Sequence, residues 1–384
     1  MAADLGRSTV AIKLTYLVSH PIQYQAPLLR LIDKEEEIDL RVVFENNPAG
    51  AAYYDSGFKQ SVEWDVPLSE GYENFSLADT NLVSEIKNSD VLWLHGWESP
   101  VMRKALAVAF RLGIPVLMRG ENCDLAMPDG AGPRGWLKQL YIGWIIRRCR
   151  AFLAIGTENK NYYLRRGVSP DRVFLMPYAV DNDNFAARAK AARSKRYKLK
   201  AEFGIAPNQK VVLFAGKFMP RKHPEILVHA LNSVDWMGEN PALVFVGRGE
   251  MEKELRAMAP DAIFLGFRNQ SELPPLYDMA DVMVLPSERE PWGLVTNETM
   301  ACGTAVVVSD QVGCAIDLIN DGCGKVFPCG NVKALADALV DCLDNSEDMG
   351  LAAEQRIEQW GFAADIKGLK QAIKYVNPGN DIDP

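Results

Sequence analysis

Two carboxylates stand eight positions apart in Ser287 to Ser309, SEREPWGLVTNETMACGTAVVVS: Glu290 before a helix-forming stretch that opens near Gly293, and Glu298 inside it. The runs on either side, Asp281 to Leu285 and Thr304 to Val308, are short, apolar and rich in valine. That is the pattern of strands buried in a parallel sheet. The loop between them therefore belongs at the carboxyl end of a strand, where open parallel sheets bind ligands. A helix starting at Pro291-Trp292-Gly293-Leu294 offers unpaired N–H groups and the positive end of its dipole, a site for a diphosphate. Glu298 lies about 7 to 8 Å further along the axis at the helical rise per residue. Ionised carboxylates accept hydrogen bonds from sugar hydroxyls, so a ribose at Glu298 and a hexose at Glu290 suit the spacing. Two solvated acids around a helix start suit it as well, because acids are favoured there.

A second group of residues complements the acids. Lys210 to Ala215 reads as a strand, and the turn Gly216-Lys217-Phe218-Met219-Pro220-Arg221-Lys222-His223-Pro224 leads into a helix from Glu225. Lys217, Arg221 and Lys222 beside a strand-to-helix turn make an anion site, and Gly216 permits close backbone approach; a solvated basic turn is the alternative. In the first half of the chain, Ile12 to Val18 and Ile38 to Phe44 read as strands, and Asp90 to Leu94 ends in His95-Gly96, which places a histidine at a strand's carboxyl end. Ile114 to Met118 closes with Arg119-Gly120-Glu121: Glu121 is a candidate for acceptor binding or proton transfer and Arg119 for a phosphate or acceptor contact, with a structural ion pair as the rival. His20, after the first strand, is a candidate donor to a phosphate or acceptor hydroxyl or a cap for the next turn. Asn46 to Glu73 reads as a long surface excursion, and Tyr53, Tyr54 and Trp64 in it are candidate acceptor contacts or packing residues.

Glu290-Pro291-Trp292-Gly293-Leu294, Asn297-Glu298, Met300-Ala301-Cys302-Gly303 and Val306 to Ser309 together closely resemble the signature of family 4 glycosyltransferases. The resemblance covers most of residues 90 to 330 and is strongest from 207 to 327. It implies an α/β chain of the GT-B fold, two Rossmann-like domains with a cleft between them, and metal-independent transfer of sugar from a nucleotide donor with retention. In that family the first Glu holds the donor sugar and the second the ribose, which gives those roles to Glu290 and Glu298. Lys217, where Arg is usual, and Lys222 match the cations that face the diphosphate. His95 matches a histidine close to the donor sugar and its reacting carbon, and the turn after Ile263 to Leu265 matches the one that holds the base, so Phe267 and Arg268 are the base-side candidates. The implied donor is a UDP- or GDP-sugar, with no further cofactor, and the acceptor a glycan, lipid-linked or small-molecule hydroxyl. Two departures stand out: Ser19 to Pro27 has no glycine where a glycine-rich loop is common, and Tyr178-Ala179 stands where Asn-Gly is usual.

The positioning elements follow. At 384 residues two domains are the default. We expect an acceptor domain over 1–185, a helical linker over 186–206, a donor domain over 207–360, and over 361–384 a helix crossing back to the first domain with a disordered tail. Gly350 to Val376 reads as helix. Net charge of -8 disfavours a general nucleic-acid binder. Seven cysteines without a CxxC pair read as free thiols, and no signal-peptide core opens the chain, so a cytoplasmic protein is expected. Pro133 to Arg150 reads as a helix with Trp136, Leu137, Leu140, Tyr141, Trp144 and Ile145 on one side and basic residues flanking. That suits a core-facing helix or a peripheral contact at the inner face of the membrane. A dinucleotide-dependent oxidoreductase lacks its GxGxxG after a strand; a non-catalytic nucleotide-sugar binding protein and a GT-B epimerase or phosphorylase stay open.

Overall fold

The computed structural model describes residues 11–46, 53–55, 60–125, 132–320, 322–379 and 382, with backbone alone at 53–55 and 60–62. The first half supplies nine strands: β1 (Ile12–Val18), β2 (Ile38–Phe44), β3 (Tyr53–Asp55), β4 (Gln60–Val62), β5 (Asn74–Ser76), β6 (Val91–His95), β7 (Val116–Arg119), β8 (Ala151–Ala154) and β9 (Val173–Leu175). Seven form a parallel sheet in the order β5-β2-β1-β6-β7-β8-β9, and β3 and β4 pair apart as an antiparallel hairpin inside the expected excursion. The second half supplies β10 (Val211–Ala215), β11 (Ala242–Val246), β12 (Ile263–Gly266), β13 (Val282–Leu285), β14 (Ala305–Ser309) and β15 (Gly324–Phe327), in the order β12-β11-β10-β13-β14-β15. The chain is α/β with two parallel sheets.

Both sheets reverse direction once. β1 lies between β2 and β6, and β10 between β11 and β13, all parallel. At each reversal the flanking connections leave to opposite sides, which opens a crevice at the carboxyl ends. Ser19 to Gln25 and His95 occupy the first crevice; Gly216 to Lys222 and Ser287 to Gly293 occupy the second.

Three elements add to or differ from expectation. Residues 186–206 contain two helices, the end of Asn182–Arg193 and the whole of Arg196–Glu202, and these are docked: Arg193 and Arg196 both bind the buried Asp278. The helix expected over Gly350 to Val376 is broken into Ser346–Ile357 and Phe362–Val376, with Gly361 in extended conformation at the second start. Glycine is a poor residue for a helix interior and a tolerable one at its boundary. Phe362–Val376 lies on the first sheet, with Leu369, Ala372 and Ile373 in the same apolar cluster as Leu14 and Trp93. Within the stretch expected to be a disordered tail, Ile382 is 2% exposed and belongs to the same cluster.

The helix Gly132–Ile146 corrects the core-facing reading of its stripe. It buries Gly135, Ile142, Ile145 and Ile146, whereas Trp136 is 61% exposed, Leu137 58% and Leu140 50%. The small Gly135 and the branched isoleucines fit against the sheet and turn the bulky residues outward. Among the described residues no helix is long and apolar enough to cross a membrane.

Candidate active site

In the second lobe the turns after β10 and β13 are laced together. Pro220–Lys222 forms one 3-10 turn, ended by His223 in the left-handed region at φ 48°. This brings the Lys222 ammonium into contact with the Glu290 carboxylate, 14% and 13% exposed. Arg221 Nη1 stands 3.6 Å from the same carboxylate oxygen and donates to the Arg289 carbonyl at 3.0 Å. The Glu288 N–H donates in return to the Arg221 carbonyl at 2.8 Å. Glu290 is also fixed from behind: its carbonyl accepts the Gly313 N–H at 2.9 Å. Lys217 lies half-buried in the same turn as Arg221 and Lys222.

Gly293 starts the helix Leu294–Ala301 at φ 99°, and a Cβ there would lie 2.8 Å from Leu285. Only glycine fits both demands, so the helix tip is set by one residue. Glu298, further along this helix, accepts the Tyr277 hydroxyl at 2.7 Å. Burial pushes its carboxyl up to about 7, with that hydrogen bond opposing. Glu298, Gly216, Phe267 and Arg268 line one cavity. Arg268 Nη1 is meanwhile held at 3.0 Å by Glu272.

In the first lobe His95 ends β6 inside a web of hydroxyls and amides. Its Nδ1 lies 2.9 Å from the Tyr16 hydroxyl and 3.2 Å from Gln25 Nε2, and its Nε2 lies 3.4 Å from the Tyr178 hydroxyl. Tyr16 donates to Gln25 Oε1 at 2.6 Å, and Tyr178 donates to Glu121 at 2.6 Å. Burial, then the charges of Arg119 and His20, hold His95 down to about 3, so its imidazole is neutral. Glu121 is exposed and Tyr24 donates to it at 3.5 Å. His20 keeps much of its surface in solvent, with Ser19 Oγ 2.8 Å from its Nδ1, and the partial loss of water around its ring lowers its pKa.

Two candidates are turned away from the cleft. Arg119 is 1% exposed, and its Nη2 donates to the carbonyls of Met176 and Pro177 and to Asp365 at 3.0 Å. It is an interior cation that joins β7 to the last helix, not an acceptor contact. Trp292 is 3% exposed, donates to Asn297 Oδ1 at 2.9 Å, and packs on Tyr178 and Trp360. A Cβ on Gly156, in the first lobe, would lie 2.1 Å from the Trp292 ring. The Trp292 side chain is thus a seam between lobes, and only its backbone is left to the helix tip. Asn297 Nδ2 continues the seam to the Tyr178 carbonyl at 3.1 Å, and Thr157 Oγ1 donates to Asp317 at 2.5 Å. Pro291 sits at this seam too, its carbonyl facing Cys123 Sγ, and Leu294 packs partly buried beneath it. Trp64 lies with the Phe267 cavity rather than with Glu121, and the Tyr53 and Tyr54 side chains lie outside the described residues.

Sequence reasoning missed Gln25, Tyr16, Tyr178 and Tyr277. The signal available for Gln25 was the glycine-free first loop itself, which supplies side chains to the cleft where a glycine-rich loop would supply backbone amides.

The chain has relatives among known proteins. Residues 195–359 match the family model described as glycosyl transferases group 1. A D-inositol 3-phosphate glycosyltransferase of Xylanimonas cellulosilytica is 29% identical over 297 residues, covering 72% of this chain and 69% of the relative. The enzyme of the same name from Mycobacteroides abscessus is 31% identical over 183 residues, covering 45% of this chain and 40% of the relative. Anabaena HepE, solved with UDP and glucose, superposes with a TM-score of 0.69 at 18% identity, covering 94% of this chain and 99% of that one, and so shares the fold. The match across the second lobe, joined to the same architecture in both, places this chain in the group 1 family of GT-B glycosyltransferases.

Proposed function

We propose that the protein is a retaining glycosyltransferase that moves a sugar from a UDP- or GDP-sugar to a hydroxyl of a glycan, lipid-linked or small-molecule acceptor. The observation that carries this reading is the Lys222–Glu290 pair beside the helix tip at Gly293, with Glu298 along the same helix. Lys222, Lys217, Arg221 and the helix tip stabilise the leaving diphosphate as the bond from phosphate oxygen to anomeric carbon breaks. Glu290 orients the sugar and Glu298 the ribose. The acceptor oxygen bonds to the anomeric carbon on the face that the diphosphate leaves, and its proton passes to the departing phosphate oxygen. No side chain need act as nucleophile. Neutral His95 borders the reacting end, and Glu121 with His20 borders the acceptor.

A panel of UDP-, GDP- and ADP-sugars tests the reading, assayed for released nucleoside diphosphate with and without acceptors, inositol 3-phosphate among them. Acceptor-dependent release is expected. A new sugar nucleotide from donor alone would instead mean an epimerase, and binding without turnover a silent binding protein.

The exposed stripe of Trp136, Leu137, Leu140 and Tyr141, with Arg134, Arg147 and Arg148 on the same helix and its end, favours an acceptor held at an anionic membrane surface. Wild type should sediment with vesicles containing phosphatidylglycerol and not with neutral ones, and Trp136→Glu with Leu140→Glu should stay in the supernatant. Equal recovery of both proteins in the supernatant would overturn the membrane contact.

A further inference from the structure

A short piece of the first half of the chain reaches across to the second. Asn269 Nδ2 donates to the Glu63 carbonyl at 2.7 Å, and its Oδ1 accepts the Asp65 N–H at 3.3 Å. The Ser271 N–H donates to the Asp65 carboxylate at 3.1 Å, and the Ser271 hydroxyl donates to it as well. These bonds pin residues 63–65 to the 3-10 turn Gln270–Glu272 that follows β12. Both ends of the peptide are tied, so the side chain between them has its position set from two sides.

That side chain is Trp64. Its ring centroid lies 6.0 Å from that of Phe267, at an interplanar angle of 58°. Trp64 and Gln23 come from the first lobe, and Gly216, Phe267, Arg268 and Glu298 from the second, to line a single cavity. A nucleoside whose ribose is held at Glu298 must place its base in the same cavity. A base has flat π faces and polar edges, and the faces gain most from aromatic side chains.

We infer that Trp64 is a wall of the nucleobase pocket, so that the donor's base is gripped by both halves of the chain; this rests on the donor role proposed for Glu298. Base binding and approach of the two lobes are then one event. The strap residues Glu63 and Asp65 hold the wall, and Phe267 faces it.

The test is titration calorimetry of the full-length chain with UDP, GDP and ADP. Trp64→Ala is expected to weaken the nucleotide that wild type binds by about tenfold, the scale of one base–aromatic contact. Trp64→Phe, which keeps a π face, should recover most of the affinity, and Trp64→Leu, which restores bulk alone, should not. Unchanged affinity in Trp64→Ala would overturn the assignment, as would recovery by Leu equal to that by Phe. Wild type binding none of the three nucleotides would overturn the proposed donor reading along with it. Wild type binding one of them that Trp64→Ala binds equally well would remove Trp64 alone.

Discussion

Lys222 and Glu290 meet across two strand-end turns although 68 positions separate them in the chain, and each is mostly buried. The pair places a cation and an anion at one helix tip, and the two are expected to act on different parts of the donor. Lys222→Ala should lower kcat by about 100- to 1000-fold, the scale seen when one preorganised electrostatic group is removed. Glu290→Ala should abolish transfer while UDP or GDP binds as tightly as before or more so, because an anion beside the diphosphate has gone. Steady-state kinetics with calorimetry separates the two. Weakened nucleotide binding in Glu290→Ala would mean that Glu290 serves the diphosphate by holding Lys222 in place, and not the sugar.

In its proposed role at the ribose, Glu298 should make donor binding pH-dependent. With its carboxyl pushed up to about 7 by burial, it is a hydrogen-bond acceptor for ribose hydroxyls mainly above that pH. Nucleotide affinity should therefore rise between pH 6 and pH 8. Stability runs the other way. The folded chain holds this proton more tightly than the unfolded chain, whose carboxyl titrates near the ordinary 4.5. The contribution is full below that value and is lost as pH rises through about 7. Glu298→Gln should flatten both profiles, measured by calorimetry and by urea unfolding at each pH; a profile for nucleotide binding that keeps its slope in Glu298→Gln would assign the titration elsewhere.

His95 should contribute no step to the pH–rate profile between pH 5 and pH 8, since burial and the neighbouring Arg119 hold it neutral throughout. The chain has four histidines, so imidazole carbon–proton NMR spectra resolve them, and His95→Gln assigns the signal. It should stay at its neutral shift down to pH 5. Gln25→Ala removes one of the groups that hold Nδ1 and should lower kcat with little change in donor affinity.

What the sequence made legible follows from how local each signal is. β1 and β2 could be read to their end residues because the apolar residues of Ile12 to Val18 and Ile38 to Phe44 are closely spaced and give way to Ser19 after the first and to Glu37 and Glu45 around the second. Lys222 and Glu290 were legible because turn chemistry and strand ends fix where each must lie. For Arg119 the structural ion pair, left open beside an acceptor contact, is the one that forms, and Trp292, placed in the loop before its helix, turns its side chain into the seam between lobes. A position at the end of a strand tells which crevice is near, and it does not tell whether the side chain enters that crevice or the interior. The partner that settles Arg119 is Asp365, 246 positions away, and no spacing rule links the two. The place of Trp64 beside Phe267 was out of reach for the same reason, since Asn269 and Ser271 hold its neighbours from 204 and 206 positions off.

The Arg119–Asp365 pair gives the last prediction. Both side chains are almost fully buried, and the pair ties the crossing helix Phe362–Val376 to the strand beside His95. Two charges taken out of water need each other, so removing one costs more than removing both. Asp365→Ala should destabilise the protein by about 3 to 5 kcal/mol in urea unfolding, the cost of a buried charge left alone. The double variant Arg119→Met with Asp365→Leu should recover most of that loss. The double variant also lacks the cation that helps hold His95 low, so the His95 signal should titrate at a higher pH than in wild type. If stability returned while His95 titrated as before, the cation would matter to packing between lobe and helix and not to the imidazole, and burial alone would account for its neutrality.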